Sequence, residues 1–232
     1  MVDLIAGIEP VMVRENLARI EEQIAAAASR RPPTPGGGSR RPVEVLAATK
    51  YVSAEDLPLL AQGGVRLVGE NRAQDLQAKV QAHGELFEWD FIGQLQSRRV
   101  RLIVPLVRMI HSVASESAMR ELERHRELAR PGLRIMVEVD LAGESTKAGV
   151  PVEQLDGLIA ASPFPVAGLM TMPPLSHEPE DSRRWFSALR ELADERGLEE
   201  LSMGTSQDYA VAVEEGATVV RIGTSLYRRG TG

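Results

Sequence analysis

Three short stretches of this chain carry residue types whose spacing could do chemistry. The first is VLAATK, Val45 to Lys50, an apolar run that ends on a lysine. A lysine closing a buried strand has two readings. Either it snorkels its ammonium into water, or it stays in low dielectric, where the charged form is disfavoured and the amine is freed to attack carbonyl compounds. The second stretch is SMGTSQD, Ser202 to Asp208, and the third is RIGTS, Arg221 to Ser225. In each, a glycine sits among small hydroxyl residues just before a helical segment. Glycine lets backbone approach an anion closely, hydroxyls donate to it, and a helix N-terminus adds amides without partners. Either turn alone reads as a helix cap; two side by side would hold a phosphate.

The elements between these stretches decide whether they meet. From Val43 onward, short β-rich runs alternate with longer amphipathic ones, and the strands expected are 43–49, 66–69, 88–92, 108–112, 133–139, 165–169, 200–202 and 218–222. Ser53 and Asp56 form a capping pair, Ser115 opens a helix through Leu128, and Asp181 lies near the start of one through Glu195. Strict alternation implies parallel strands with right-handed crossovers. Eight repeats fit an α/β fold of the compact (β/α)8 TIM-barrel type, with an open doubly wound sheet as the alternative. In such a barrel, active groups collect at the strand ends, phosphates bind after strands seven and eight, and strand one closes against strand eight. Lys50 and both glycine turns would then share one rim. Ahead of the barrel, 8–29 has helical spacing, and the breaker-rich, basic 30–41 reads as a mobile, solvated connection. The expected organisation is one domain, with residues 1–42 packed on a barrel of residues 43–232.

Composition narrows the chemistry. The chain has 232 residues, a net charge of -6 and no cysteine, so disulfides, thiolate metal sites and cysteine nucleophiles are excluded. The four histidines show no metal-ligand spacing. An acidic balance argues against nucleic acid, and no stretch approaches the ~20 apolar residues of a membrane span. The expectation is a cytoplasmic protein, a monomer rather than an oligomer, with no nucleic-acid or membrane partner.

An amine beside a phosphate site suggests pyridoxal phosphate, bound as a Schiff base on Lys50 with its phosphate on the turns around Gly204 and Gly223. Arg221 would lie within reach of the pyridine ring, where a guanidinium disfavours a protonated ring nitrogen. The other reading of Arg221 is a buried ion pair with a barrel carboxylate such as Glu138. A Schiff-base aldolase acting on a phosphosugar would use the same lysine and turns.

The motifs resemble those of the pyridoxal phosphate homeostasis protein family, relatives of the N-terminal barrel of alanine racemase. The matches run in one order: LAATK (46–50), GEN (69–71), WDFIGQLQS (89–97), IHSV (110–113), ESTKAG (144–149), GLMTM (168–172), then MGTSQD and VRIGT. The resemblance implies that Lys50 carries the cofactor, that Ser202, Gly204, Ser206, Gly223 and Thr224 surround its phosphate, with Thr205 in the same turn, and that Arg221 meets the ring nitrogen. It also implies a role for Asn71 at the cofactor edge, a residue otherwise read as a helix cap. Thr205 stands where the family usually has methionine, Arg98 and Arg99 where it has Asn-Lys, and Asp140 where many members have asparagine. Lys147 matches a family lysine on a loop after strand five and reads here as a solvated side chain.

Function is also argued from what the chain lacks. Racemisation needs a base on each face of the α-carbon, and in alanine racemase-like enzymes a second domain supplies one as tyrosine. These 232 residues leave no room for that domain, and Tyr51, Tyr209 and Tyr227 fall near the rim without the signature of such a base. His111 reads as a hydrogen-bonded rim histidine, with an acid or base role as the alternative, and Met136, Met170, Met172 and Met203 read as barrel filling. The expectation is therefore a protein that stores or delivers pyridoxal phosphate, with apo pyridoxal phosphate enzymes as recipients, rather than a dedicated catalyst. A slow racemase using Tyr51 or His111 is the enzymatic alternative.

Overall fold

The computed structural model describes residues 4–32, 41–143 and 148–228. Among them, eight strands alternate with helices and close into a parallel barrel in sequence order. The strands are β1 (Glu44–Ala48), β2 (Leu67–Glu70), β3 (Glu88–Phe91), β4 (Met109–Val113), β5 (Arg134–Glu138), β6 (Val166–Met170), β7 (Glu200–Thr205) and β8 (Val219–Ile222). The helices are α1 (Pro10–Ala28), α2 (Leu57–Gln62), α3 (Ala73–His83), α4 (Val100–Ile103), α5 (Glu116–Arg124), α6 (Leu155–Ala160), α7 (Arg183–Glu195), α8 (Tyr209–Glu214) and α9 (Thr224–Tyr227). The open-sheet alternative is excluded by the pairing that closes the barrel, in which Leu46 lies opposite Arg221 and Ala47 opposite Ile222.

Two apolar layers follow from the alternation of side chains along each strand. Leu46, Leu67, Met109, Met136, Met170 and Val219 fill the barrel interior, while the opposite strand faces pack under the helices. Of the methionines read as filling, Met203 belongs to the outer layer, and Met172 lies outside both with 48 % of its surface exposed. The leading helix α1 packs on α8 and α9. Asn16, buried on α1, donates to the carbonyls of Leu226 (3.1 Å) and Arg228 (3.0 Å) and so ties off the last helix.

Several boundaries differ from the sequence reading for local reasons. β7 continues past Ser202 to Thr205, with a register shift against β8 between these two residues. Gly204 sits inside that irregular stretch at φ +91°, and a Cβ there would lie 2.6 Å from that of Ala212, so glycine lets α8 approach the strand. The Ser53–Asp56 pair forms, but it closes the turn before α2 instead of capping the helix. Ser115 does cap α5, accepting from the Ala118 amide at 3.2 Å; α5 then stops at Arg124 and a 3-10 turn covers Arg126–Leu128. In the basic connection, 33–40 lie outside the described residues. Its flanks are exposed but anchored: Arg30 pairs with Glu214 (2.5 Å), and Arg41 pairs with Glu199 (2.8 Å) and Glu200 (2.9 Å).

Candidate functional site

At the C-terminal ends of the strands lies a cavity of about 450 Å³, and Lys50, Asn71, Thr205, Ser206, Arg221, Gly223 and Thr224 all line it. Lys50 stands two residues beyond β1, in a turn, and its side chain is exposed, with Nζ 4.6 Å from the centroid of the Tyr51 ring. The desolvation argued from the sequence therefore has no counterpart in burial. What fixes the lysine is its backbone. Thr49 donates its amide to the Gly69 carbonyl (3.0 Å) and its hydroxyl to Glu70 Oε1 (2.7 Å). The Thr49 carbonyl accepts from Lys79 Nζ at 2.8 Å, and the Ala48 carbonyl accepts from the Tyr227 hydroxyl at 3.1 Å. Lys79 also pairs directly with Glu70, and both are buried. Sequence reasoning missed this pair. The signal was Ala73, Leu76 and Lys79, at helical spacing on the buried face of α3.

The opposite wall is made by the two glycine turns. Ser206 Oγ accepts from the Gly223 amide (3.1 Å) and from the Ser225 hydroxyl (2.8 Å). A hydroxyl has two acceptor positions and one donor, so both acceptor positions are taken and the Ser206 proton remains to be given. A Cβ on Gly223 would meet nothing within 4 Å, so backbone lies open to the cavity there. The first amides of α9 have no intrahelical acceptor. Thr205 lines the cavity too, but its amide (2.7 Å) and hydroxyl (3.1 Å) both donate to Asp208 Oδ1.

Two of the residues assigned to the phosphate do not reach the cavity. Ser202 is fully buried below it, because its side chain points into the barrel ahead of the β7 irregularity, and Gly204 is covered by α8. Ser202 Oγ instead accepts from Arg221 Nη1 (2.7 Å) and contacts His111 Nδ1 (2.8 Å). His111 is likewise fully buried rather than on the rim, with Nε2 3.1 Å from Asp90 Oδ2. Asp90 in turn pairs with Arg108 (3.0 Å), which pairs with Glu44 (2.7 Å). As the carboxylate partner of Arg108, Asp90 only accepts, so the proton of His111 sits on Nε2 and Nδ1 accepts from Ser202. The hydrogen bonds therefore run in one sense from Arg221 to Asp90.

Arg221 itself is nearly enclosed. Nη1 also donates to the Ser202 carbonyl (2.8 Å), and Nη2 donates to the Thr171 carbonyl (2.9 Å) and Met172 Sδ (2.9 Å). Burial pushes its pKa down to about 10, against the nearby charges of Glu138 and Asp208. The ion pair with Glu138 does not form among the described residues, although both side chains line the cavity. Of the three tyrosines, Tyr51 lines the cavity, Tyr227 is buried beneath it, and Tyr209 reaches Gln23 on α1. Arg98 and Arg99 are not on the cavity wall, and Lys147 lies outside the described residues.

The family model described as alanine racemase, N-terminal domain, matches residues 42–229. The pyridoxal phosphate homeostasis protein of Aquifex aeolicus is 39% identical over 195 residues, covering 79% of this chain and 86% of that protein. Its counterpart from Vibrio cholerae is 31% identical over 229 residues, covering 93% and 95%. The chain belongs to the pyridoxal phosphate homeostasis protein family. A solved structure, that of PipY of Synechococcus elongatus with pyridoxal phosphate bound, superposes with a TM-score of 0.71 at 31% identity, covering 90% of this chain and all of PipY. The cavity also holds an acceptor without a donor: Asn71 Oδ1 is buried and has no hydrogen-bond partner among the described residues. Where Asn71, Lys50 and Gly223 line one cavity, such an atom is a place for a ligand donor.

Proposed function

We propose that this chain binds pyridoxal 5'-phosphate through Lys50 and holds it for intracellular homeostasis or delivery. The observation that carries the reading is the convergence on one cavity of an accessible amine, a hydroxyl with its proton to give and an open backbone turn, at Lys50, Ser206 and Gly223. When bound, pyridoxal phosphate supplies an aldehyde that condenses with a primary amine and a ring that can accept electrons. Lys50 offers the amine, held in place through Thr49 and Ala48. The Ser206 hydroxyl and the Thr224 amide, which the side-chain-free turn at Gly223 leaves accessible, donate to the phosphate. Arg221, with its Nη atoms fixed by Ser202, Thr171 and Met172, presents a guanidinium that gives hydrogen bonds and takes no proton. Asn71 Oδ1 accepts from a donor on the ligand.

A holding role fits these groups better than turnover. Of the two bases that a racemase reading names, His111 is shut off beneath Ser202 and Arg221 and cannot serve in the cavity, whereas Tyr51 lines it. The test is borohydride reduction of the protein loaded with pyridoxal phosphate, followed by peptide mapping. The pyridoxyl group should sit on Lys50, and Lys50→Ala should lose the visible absorption band. Labelling of another lysine with Lys50 unmodified would overturn the assignment.

A further inference from the structure

Glu138 is a buried titratable group to which the reading above gives no task. It ends β5 with 5 % of its surface exposed, and no hydrogen bond or ion pair reaches its carboxylate among the described residues. Arg221 is close enough to be felt as charge, but its Nη atoms are committed to Ser202, Thr171 and Met172. Burial accordingly pushes the Glu138 pKa above its ordinary value, opposed by Arg221. Buried carboxylates are paired or costly, and one left without a partner on a cavity wall marks a binding site.

Glu138 faces two cavities. Besides the one holding Lys50, a second of about 390 Å³ opens between the loop after β6 and the start of α8, and shares with it Glu138, Ala148, Met172, Thr205 and Gln207. Its other walls include Pro173, Pro174 and Leu175, which are apolar. Its charged lining is all acidic among the described residues: Glu138, Glu178 and Asp208. Asp208 is occupied by Thr205 and Ser182, and Glu178 is exposed, which leaves Glu138 as the buried anchor.

We propose that this annex is a subsite for an organic ammonium compound with an apolar stem, the ammonium at Glu138 and the stem along Met172, Pro173 and Pro174. A carboxylate in low dielectric meets an ammonium by charge-assisted hydrogen bonds, and the proline wall takes methylene groups without asking for polar partners. That such an amine would stand beside the cofactor rests on the function proposed above. The annex then selects which amines come within reach of the cofactor on Lys50.

The test uses the full chain, with and without bound pyridoxal phosphate. Butylamine, cationic at neutral pH, and 1-butanol, its neutral counterpart, are titrated while the methyl resonance of Met172, assigned through Met172→Leu, is followed by NMR. Butylammonium should give a saturable shift in the cofactor-free protein, at least ~10-fold tighter than the alcohol, the size of one charge-assisted contact. Glu138→Gln should erase that preference, and Glu138→Asp, which keeps the charge, should retain it. Equal affinity for the two probes in the unmodified protein, or a preference unchanged in Glu138→Gln, overturns the subsite. If ammonium binding survives while pyridoxal phosphate fails to bind, the cofactor reading falls and the subsite stands.

Discussion

Replacing Lys79 with methionine keeps the unbranched apolar stem, one atom shorter, and removes the charge. In the structure, that charge meets Glu70, which is completely buried, and the Thr49 carbonyl at 2.8 Å. Glu70 would keep its bonds from the Thr49 hydroxyl (2.7 Å) and the Asn71 amide (3.0 Å), but would remain a carboxylate in the core without its cation. Removing one member of a buried pair costs about 3–5 kcal/mol. The two surviving bonds place this case near the lower end, at about 3 kcal/mol, or roughly 6–12 °C in Tm for a chain of this size. Adding Glu70→Gln removes the stranded charge, so the double variant should return to within about 1–2 kcal/mol of the parent. Denaturant unfolding and calorimetry measure both. The single variant should also load pyridoxal phosphate more slowly, because the backbone ahead of Lys50 loses its anchor. A loss below about 1 kcal/mol for Lys79→Met, or a double variant worse than the single, would refute the reasoning.

Gly223→Val should weaken pyridoxal phosphate far more than unphosphorylated pyridoxal, since the side chain fills the open turn that faces the phosphate; equal losses would remove the turn from the site. Ser202→Ala should leave His111 Nδ1 without its donor and Arg221 without one acceptor, costing about 1–3 kcal/mol in unfolding experiments. Because burial raises the pKa of Glu138, its protonated form favours the folded state; that stability is complete below the ordinary value of 4.5 and is lost as pH rises through the raised one. Glu138→Gln should therefore match the parent below pH 4.5 and exceed it in stability increasingly above, and a difference that is flat with pH would contradict this. In deuterated water, an amino acid mixed with the loaded protein should change the visible spectrum while gaining little α-deuterium over hours, as measured by mass spectrometry; fast exchange would make the protein a catalyst.

The sequence by itself determined the barrel and most of the rim. All eight strands were legible because alternation and apolar content are local patterns, and parallel order follows from helices between strands. Lys50, Ser206 and Gly223 were legible for the same reason: a lysine just past an apolar run and glycines among hydroxyls mark strand ends whatever lies across the barrel. The tertiary structure decided which way side chains face where the ladder is irregular. Ser202 reads in sequence as part of the SMGTSQD turn, yet the register shift of β7 comes after it, so it points down to His111 while Ser206 reaches the cavity. Contacts between distant segments also carry no local signal. Lys79 reaches the Thr49 carbonyl from α3, His111 is sealed under Arg221, and Glu138 has no partner among the described residues while the carbonyls of Ser202 and Thr171 hold the Arg221 guanidinium. Each of these depends on a direction in space set by the closed barrel, which no spacing along the chain encodes.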